Sequence, residues 1–218
     1  MLDVNIRDFD AVIFDLDGTM VDNIDYHIEA WIALCRAHGI DLSVSEYNKN
    51  LSGKSTPETI KLLFGSSISQ TELEKLSNEK ESYYRQIYTP HIAEIKGLST
   101  FLKKLRSLGL KLAVATTAPK ANRDLILPTL GIDHYFDIII GEEHAKKGKP
   151  DPEIYLVTAT HLGVNPKKCL VFEDTPAGIK AAKGALMTVV SLKTTHSISQ
   201  LSEADFLIDD YTQIHITD

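Results

Sequence analysis

Cysteine is scarce in this 218-residue chain: only Cys35 and Cys169 are present, far apart and outside any CxxC spacing. That argues against a metal or redox role and leaves two small, buried apolar residues. Long apolar runs are also lacking, and none approaches the roughly 20 residues a membrane span needs. Basic charge is in deficit, with 23 Lys and Arg against 30 Asp and Glu and a net charge of -7. A nucleic-acid or anionic-membrane binder would want a basic face, so no nucleic-acid or membrane partner is expected. The start, MLDVNIRDFD, has neither the cationic segment nor the apolar core of a signal peptide, so a cytoplasmic location is the expectation. With 43% hydrophobic and 24% charged residues, the chain has room for one full core plus an inserted subdomain.

Residues 9–23 read FDAVIFDLDGTMVDN. Ala11, Val12, Ile13 and Phe14 form an unbroken apolar run, as in a strand buried on both faces of a parallel sheet. Asp15 and Asp17 follow directly, where burial makes charge costly. From about residue 23 to 92 the texture is helical. Ile24, Ile28, Trp31, Ile32 and Cys35 make a stripe that stops at Gly39. Ser45 is a candidate cap for a next helix, and Thr56, Pro57 and Glu58 open another. A charged amphipathic helix follows in SQTELEKLSNEKESYYRQIY.

Beyond Gly97 the rhythm becomes strand and helix in alternation. Strands are expected at 110–116, 136–141, 169–174 and 186–192, and helices at 98–108, 121–130, 152–162 and in AGIKAAKGA. This pattern implies an α/β parallel sheet flanked by helices, with ligands bound outside the carboxyl ends of the strands. The expected division is an α/β core of residues 1–21 and 96–218, interrupted by a helical insert, 22–95.

Under that topology the polar residues closing each strand meet at one rim: Asp15 and Asp17, then Thr116 and Thr117, Lys149 in the loop after the third strand, and Glu173 with Asp174. A lone strand-end aspartate is commonly a helix cap or turn former. Four carboxylates at one buried edge instead call for a hard, oxygen-ligated divalent cation, and Mg2+ suits because it keeps positions for phosphate oxygens. Lys149 and the threonine hydroxyls suit an anion bridging metal and ammonium, as a phosphoryl group does. An EF-hand is excluded, since its sixth and twelfth positions would fall on Met20 and Tyr26 instead of Gly and Glu.

Four stretches, DLDGT after the first strand, the threonine of AVATT, KGKPDPEIY and FEDTPAGI, together resemble the four motifs of the haloacid dehalogenase superfamily. The resemblance covers nearly the whole chain. The insert resembles the helical cap of the subgroup holding phosphoglycolate phosphatase, sugar phosphatases and β-phosphoglucomutase. It implies a Rossmann-like core, with Asp15 as nucleophile and Asp17 as general acid and base. Mg2+ would be held by Asp15, the Asp17 backbone carbonyl and Asp174, helped by Glu173. Thr116, Thr117 and Lys149 would bind the phosphate. In the cap, His27, Gly53, Lys54 and Lys80 are candidate substrate contacts, although Trp31 and His27 also sit on the apolar stripe and Lys80 could be a solvated charge. Asp17 points to phosphate-ester chemistry, because dehalogenases lack an acid there.

One departure concerns the mutase. GKST puts Thr56 where its pattern has an arginine that clamps the second phosphate, and threonine cannot make that bidentate contact. The expectation is therefore a monomeric Mg2+-dependent phosphatase of a small phosphorylated substrate, a sugar phosphate, with β-phosphoglucomutase as the alternative. A phospho-accepting signalling domain also gathers acids, Thr and Lys on such a rim, but would leave the helical insert unexplained.

Overall fold

The computed structural model describes residues 2–51 and 54–217. The chain divides into two compact units: one comprises residues 1–22 and 92–218, the other 23–91. Residues 92–95, expected with the helical insert, belong to the α/β unit. The Ile95 N–H bonds to the Met20 carbonyl (2.9 Å), and Glu94 forms an antiparallel bridge with Val21, tying the returning chain to the departing one.

The α/β unit is built on six parallel strands: β2 (Ala11–Phe14), β3 (Lys111–Ala115), β4 (Ile138–Ile140), β5 (Cys169–Glu173), β6 (Thr188–Leu192) and β7 (Phe206–Ile208), in the order β4-β3-β2-β5-β6-β7. A separate parallel pair, β1 (Leu2–Asn5) with β8 (Ile214–Thr217), joins the two ends of the chain. Its helices are α5 (Leu98–Ser107), α6 (Lys120–Leu130), α7 (Glu153–Leu162) and α8 (Pro176–Gly184).

Both faces of the sheet are covered, so its strands read as continuous apolar runs rather than alternating ones. The period of two still sorts them. Ala11, Ile13, Ala113, Ala115, Cys169, Val171 and Val189 share a core with Ile154, Tyr155 and Ala159 of α7 and Ile179, Ala181 and Ala182 of α8. Phe14 and Phe172 stack on the opposite face (5.0 Å) against Phe101 of α5 and Tyr211. Burying each such ring contributes about 1.5–3 kcal/mol.

Two expected strands start late for identifiable reasons. Before β4, Asp137 Oδ2 accepts from the Leu112 N–H (2.8 Å) and from Arg106 (2.8 Å), so a side chain takes up a strand donor and the strand begins at Ile138. Before β6, Leu186 has φ +62, a left-handed residue closing the α8 turn, and the strand begins at Thr188.

The helical unit holds α1 (Ile24–Ala37), α2 (Val44–Asn50), α3 (Thr56–Phe64) and α4 (Gln70–Tyr88). Trp31, Leu34 and Cys35 of α1 pack with Leu42, Leu51, Ile60, Leu73 and Leu76. The cap of α2 is Ser43, not the expected Ser45. Only Ser43 has Glu three residues on, and both halves of that capping box form: Glu46 N to Ser43 Oγ (3.2 Å) and Ser43 N to Glu46 Oε2 (2.9 Å). Ser55 and Glu58 repeat the box on α3, placing Thr56 inside the first turn. Among the described residues no helix is long and apolar enough to cross a membrane.

Candidate active site

The strand order reverses around β2, which has β3 on one side and β5 on the other, and the crevice beyond the carboxyl ends of such strands is where open α/β sheets bind ligands. Register then decides which side chains meet there. Phe14 pairs with Phe172 of β5 and with Val114 of β3, so one step further along the chains Asp15 comes abreast of Glu173 and of Ala115. The Asp15 N–H continues the ladder to the Phe172 carbonyl (3.0 Å), which holds Asp15 as rigidly as the strand itself. Asp174 follows Glu173, and an oxygen from each of Asp15, Glu173 and Asp174 lies within 4.8 Å of the others, all three residues buried.

Lys149 enters this cluster from the loop between β4 and α7. Its Nζ donates to Asp15 Oδ1 (2.7 Å), Glu173 Oε1 (2.5 Å) and the Ala115 carbonyl (3.3 Å). Thr116 is buried at the end of β3, where its Oγ1 accepts from the Ala118 N–H (3.1 Å), a bond that uses an oxygen lone pair and not the hydroxyl proton. Thr117 beside it is exposed. Asp17 is half-buried, bridges to Val21, and lies close enough for its charge to bear on Asp15.

Electrostatics separates the three carboxylates. Burial pushes Asp15 up from 3.8 to about 7: the Lys149 charge pulls it down, while Glu173 and Asp17 push it further up. Burial, then Glu173 and Asp15, hold Asp174 well above the usual carboxylate range despite hydrogen bonds from Thr195 and Thr19. Burial would raise Glu173 too, but the Lys149 charge with bonds from Lys149 and Tyr155 outweighs it and keeps Glu173 low. Burial disfavours the Lys149 ammonium, but Asp15 and Glu173 more than compensate and hold it well above its ordinary value. Fully ionised, the three carboxylates against one ammonium would carry two negative charges, an excess that the raised Asp15 and Asp174 carboxyls relieve by holding protons. A divalent cation matches that excess, and the all-oxygen donor set fits Mg2+.

Several participants escaped the sequence reading. Thr19 Oγ1 donates to Asp174 Oδ1 (3.0 Å), and Thr195 Oγ1, in the loop after β6, donates to Oδ2 (2.6 Å). The Tyr155 hydroxyl donates to Glu173 Oε1 (2.7 Å). Thr19 and Tyr155 lie inside motifs already singled out, DLDGT and KGKPDPEIY. Thr195 was recoverable from the rule used for the other strands, since it follows the end of β6 and faces the same rim.

In the helical unit, Lys80 is a buried charge rather than a solvated one, only 3% exposed. Its Nζ meets Glu81 Oε1 (2.8 Å) and His27 Nδ1 (2.7 Å), and lies 5.3 Å from the Trp31 ring centroid. His27 stacks on Tyr84 at 3.8 Å. Lys54 is exposed at the approach to α3, and Gly53 lies outside the described residues.

A family description, haloacid dehalogenase-like hydrolase, matches residues 12–192. Validoxylamine A 7'-phosphate phosphatase of Streptomyces hygroscopicus subsp. limoneus is 33% identical over 206 residues, spanning 94% of this chain and 96% of that one. Beta-phosphoglucomutase of Bacillus subtilis is 34% identical over 188 residues, covering 84% and 82% of the two chains. Among solved structures, a HAD hydrolase of family IA, variant 3, from Entamoeba histolytica superposes with a TM-score of 0.88 at 28% identity, over 95% of this chain and 96% of its own.

Proposed function

The chain belongs to the haloacid dehalogenase-like hydrolase family, and from that premise we propose that it is a Mg2+-dependent phosphatase of a small phosphomonoester, a sugar phosphate, working through an aspartyl phosphate. The observation that carries the reading is the rim cluster: the buried carboxyls of Asp15, Glu173 and Asp174 gathered at one edge, with Lys149 paired to Asp15 and Glu173. Relatives named as phosphatases support the same direction, among them phosphorylated carbohydrates phosphatase of Thermotoga maritima and fructose-1-phosphate phosphatase YqaB of Escherichia coli.

In this reading an Asp15 carboxylate oxygen attacks phosphorus while the bond to the leaving oxygen breaks, and Asp17 gives that oxygen its proton. Asp17 then takes a proton from the water that attacks the acyl phosphate, releasing inorganic phosphate and restoring Asp15. Lys149 and Thr116 hold the phosphoryl oxygens, with Thr117 beside them. Proton transfer supplies only about 10² to 10⁴ in rate, so fixed charge carries much of the remainder. Mg2+, when bound, stabilises the charge on the phosphoryl oxygens; Asp15, Asp174 and the Asp17 backbone carbonyl would hold it.

Among the helical unit's candidates, Lys54 stays the proposed substrate contact, being exposed, whereas His27 and Lys80 engage each other, Glu81 and Tyr84. A monomer in the cytoplasm belongs to the same proposal. The β-phosphoglucomutase reading is favoured by the 34% identical Bacillus relative, and opposed by Thr56, which fills the first turn of α3 where an arginine clamp would be needed. Phosphate release from sugar phosphates, phosphoglycolate and nucleotides, with and without Mg2+ and beside Asp15→Asn, tests the proposal. Activity that survives in the variant, or that ignores Mg2+, contradicts it. Productive turnover of a supplied hexose bisphosphate to a hexose monophosphate isomer would favour the mutase.

A further inference from the structure

Glu173 differs from the other two carboxylates in how completely the protein already holds it. Its Oε1 accepts from Lys149 (2.5 Å) and from the Tyr155 hydroxyl (2.7 Å). Its Oε2 accepts from the backbone N–H groups of Asp174 (3.0 Å) and Thr175 (3.3 Å) and from the Thr175 hydroxyl (3.2 Å). An ionised carboxylate offers about four lone-pair sites, and these five donors claim all of them. The Thr175 hydroxyl is itself oriented, because its oxygen accepts from the Gly178 N–H (3.0 Å) and its proton is left to point at Glu173. Each oxygen of Asp174, by contrast, receives one threonine hydroxyl.

The cradle is also rigid. Asp174 and Thr175 lead into α8, whose amino end favours a negative charge. A methyl group on Gly178 would fall 1.8 Å from Glu173 Oε1, so the first turn of α8 is pressed onto the carboxylate and leaves it no other place to go. Tyr155 is fully buried in the core between α7 and the sheet, where a phenol needs a partner for its hydroxyl. Its ring also lies 5.1 Å from Lys149 Nζ, so one side chain touches both members of the Lys149–Glu173 pair.

We infer that Glu173 is not a third metal-ligating carboxylate but the anchor that aims Lys149 at the phosphoryl group, with Tyr155 as a positioning residue acting through it. The inference rests on the phosphoryl-transfer reading of the site and narrows it: Asp15 and Asp174 are the metal-holding carboxylates, and Glu173 belongs to the phosphate side. A Glu at this position therefore serves the same end as Lys149 itself.

Calorimetric titration with MgCl2 separates anchor from ligand without any turnover. Glu173→Gln should weaken Mg2+ binding by less than about tenfold, the low end of what partners outside the coordination sphere cost, and Asp174→Asn by far more. Equal losses in the two variants overturn the inference. Tyr155→Phe keeps the ring and removes only the hydroxyl. Its Mg2+ affinity should stay within about twofold of the parent while kcat falls about tenfold, a pattern that a purely structural role would not give; an unchanged kcat refutes the positioning role. A thermal cycle of Lys149→Met and Glu173→Gln in EDTA checks the anchor independently. The double variant should melt within about 2 °C of the worse single variant, and full additivity would contradict a shared contact. If the parent protein binds no Mg2+ at all, the magnesium proposal fails, while this metal-free cycle still decides whether Glu173 anchors Lys149.

Discussion

Replacing Gly18 by Ala should damage the site and the fold together, by an amount the geometry sets. Gly18 stands in the turn after Asp17, with φ +74 and its N–H bonded to the Val21 carbonyl (2.8 Å). A methyl group there would fall 2.2 Å from Asp174 Oδ2 and 2.8 Å from Thr195 Cγ2. The backbone conformation alone costs an L-residue about 1–2 kcal/mol. Forcing the carboxylate and the threonine aside adds about 1–3 kcal/mol, since Asp174 is fixed by Thr19 and Thr195 and has little room to yield. The sum, about 2–5 kcal/mol, corresponds to a fall in Tm of about 4–20 °C for a chain of this size. Gly109 is the matched control in the same unit, with φ +78 but nothing within 4 Å of an added methyl, so Gly109→Ala carries only the backbone cost. Thermal unfolding in EDTA compares the two, and calorimetry reads Mg2+ affinity at a temperature where both are folded. Gly18→Ala should lose at least about tenfold in Mg2+ affinity, as displaced partners of a metal ligand do, and Gly109→Ala none. Equal Tm values and equal affinities would refute the close approach of Gly18 to Asp174 as the reason for glycine.

Leu186 offers the opposite perturbation, because it holds φ +62 while 64% exposed and makes no use of its side chain to repay the strain. Leu186→Gly should raise stability by about 1 kcal/mol, or Tm by about 2–4 °C, and a lower Tm would contradict the strain argument. Mg2+ affinity should depend on pH through Asp15 and Asp174. With the Asp15 carboxyl raised from 3.8 to about 7 and the Asp174 carboxyl also held well above its ordinary range, binding must displace protons below pH 7, so affinity climbs by at least about tenfold per unit up to neutrality. The same Asp15 shift makes the metal-free fold lose stability as pH rises from about 4 to 7, because the unfolded carboxyl ionises first. A Mg2+ affinity flat from pH 5 to 7 would refute this.

What was readable from the sequence was whatever a continuous apolar run or a fixed spacing could carry. The run at Ala11–Phe14 demanded a strand covered on both faces, and that strand explains why Asp15 is rigid and central. Glu173 was legible as a rim residue because it ends a strand, and Lys149 because it lies in the loop that leaves a strand's carboxyl end. What stayed hidden was decided by contacts distant in sequence. The pairing of β1 with β8 joins the chain's two ends, and β7 is three residues long, too short for a period to show. Thr195 meets Asp174 across 21 residues, and Tyr155 meets Glu173 across 18, so neither spacing marks a motif. Ser45 is the cap that the helical pattern suggests, whereas the Glu three residues on, at Glu46, marks Ser43. The buried Lys80 was ambiguous because a helical lysine looks solvated until its neighbours, His27, Glu81 and Trp31, are seen around it.

The central claim is that Asp15 becomes covalently phosphorylated during turnover. Rapid acid quench of the protein with a hydrolysed sugar phosphate and Mg2+, followed by peptide mass mapping, tests it directly. A phosphoryl group should be found on Asp15, rising and decaying as fast as phosphate is released, and absent in Asp15→Asn. Phosphate release with no adduct on Asp15, or an adduct on another residue that turns over at the same rate, would contradict the account.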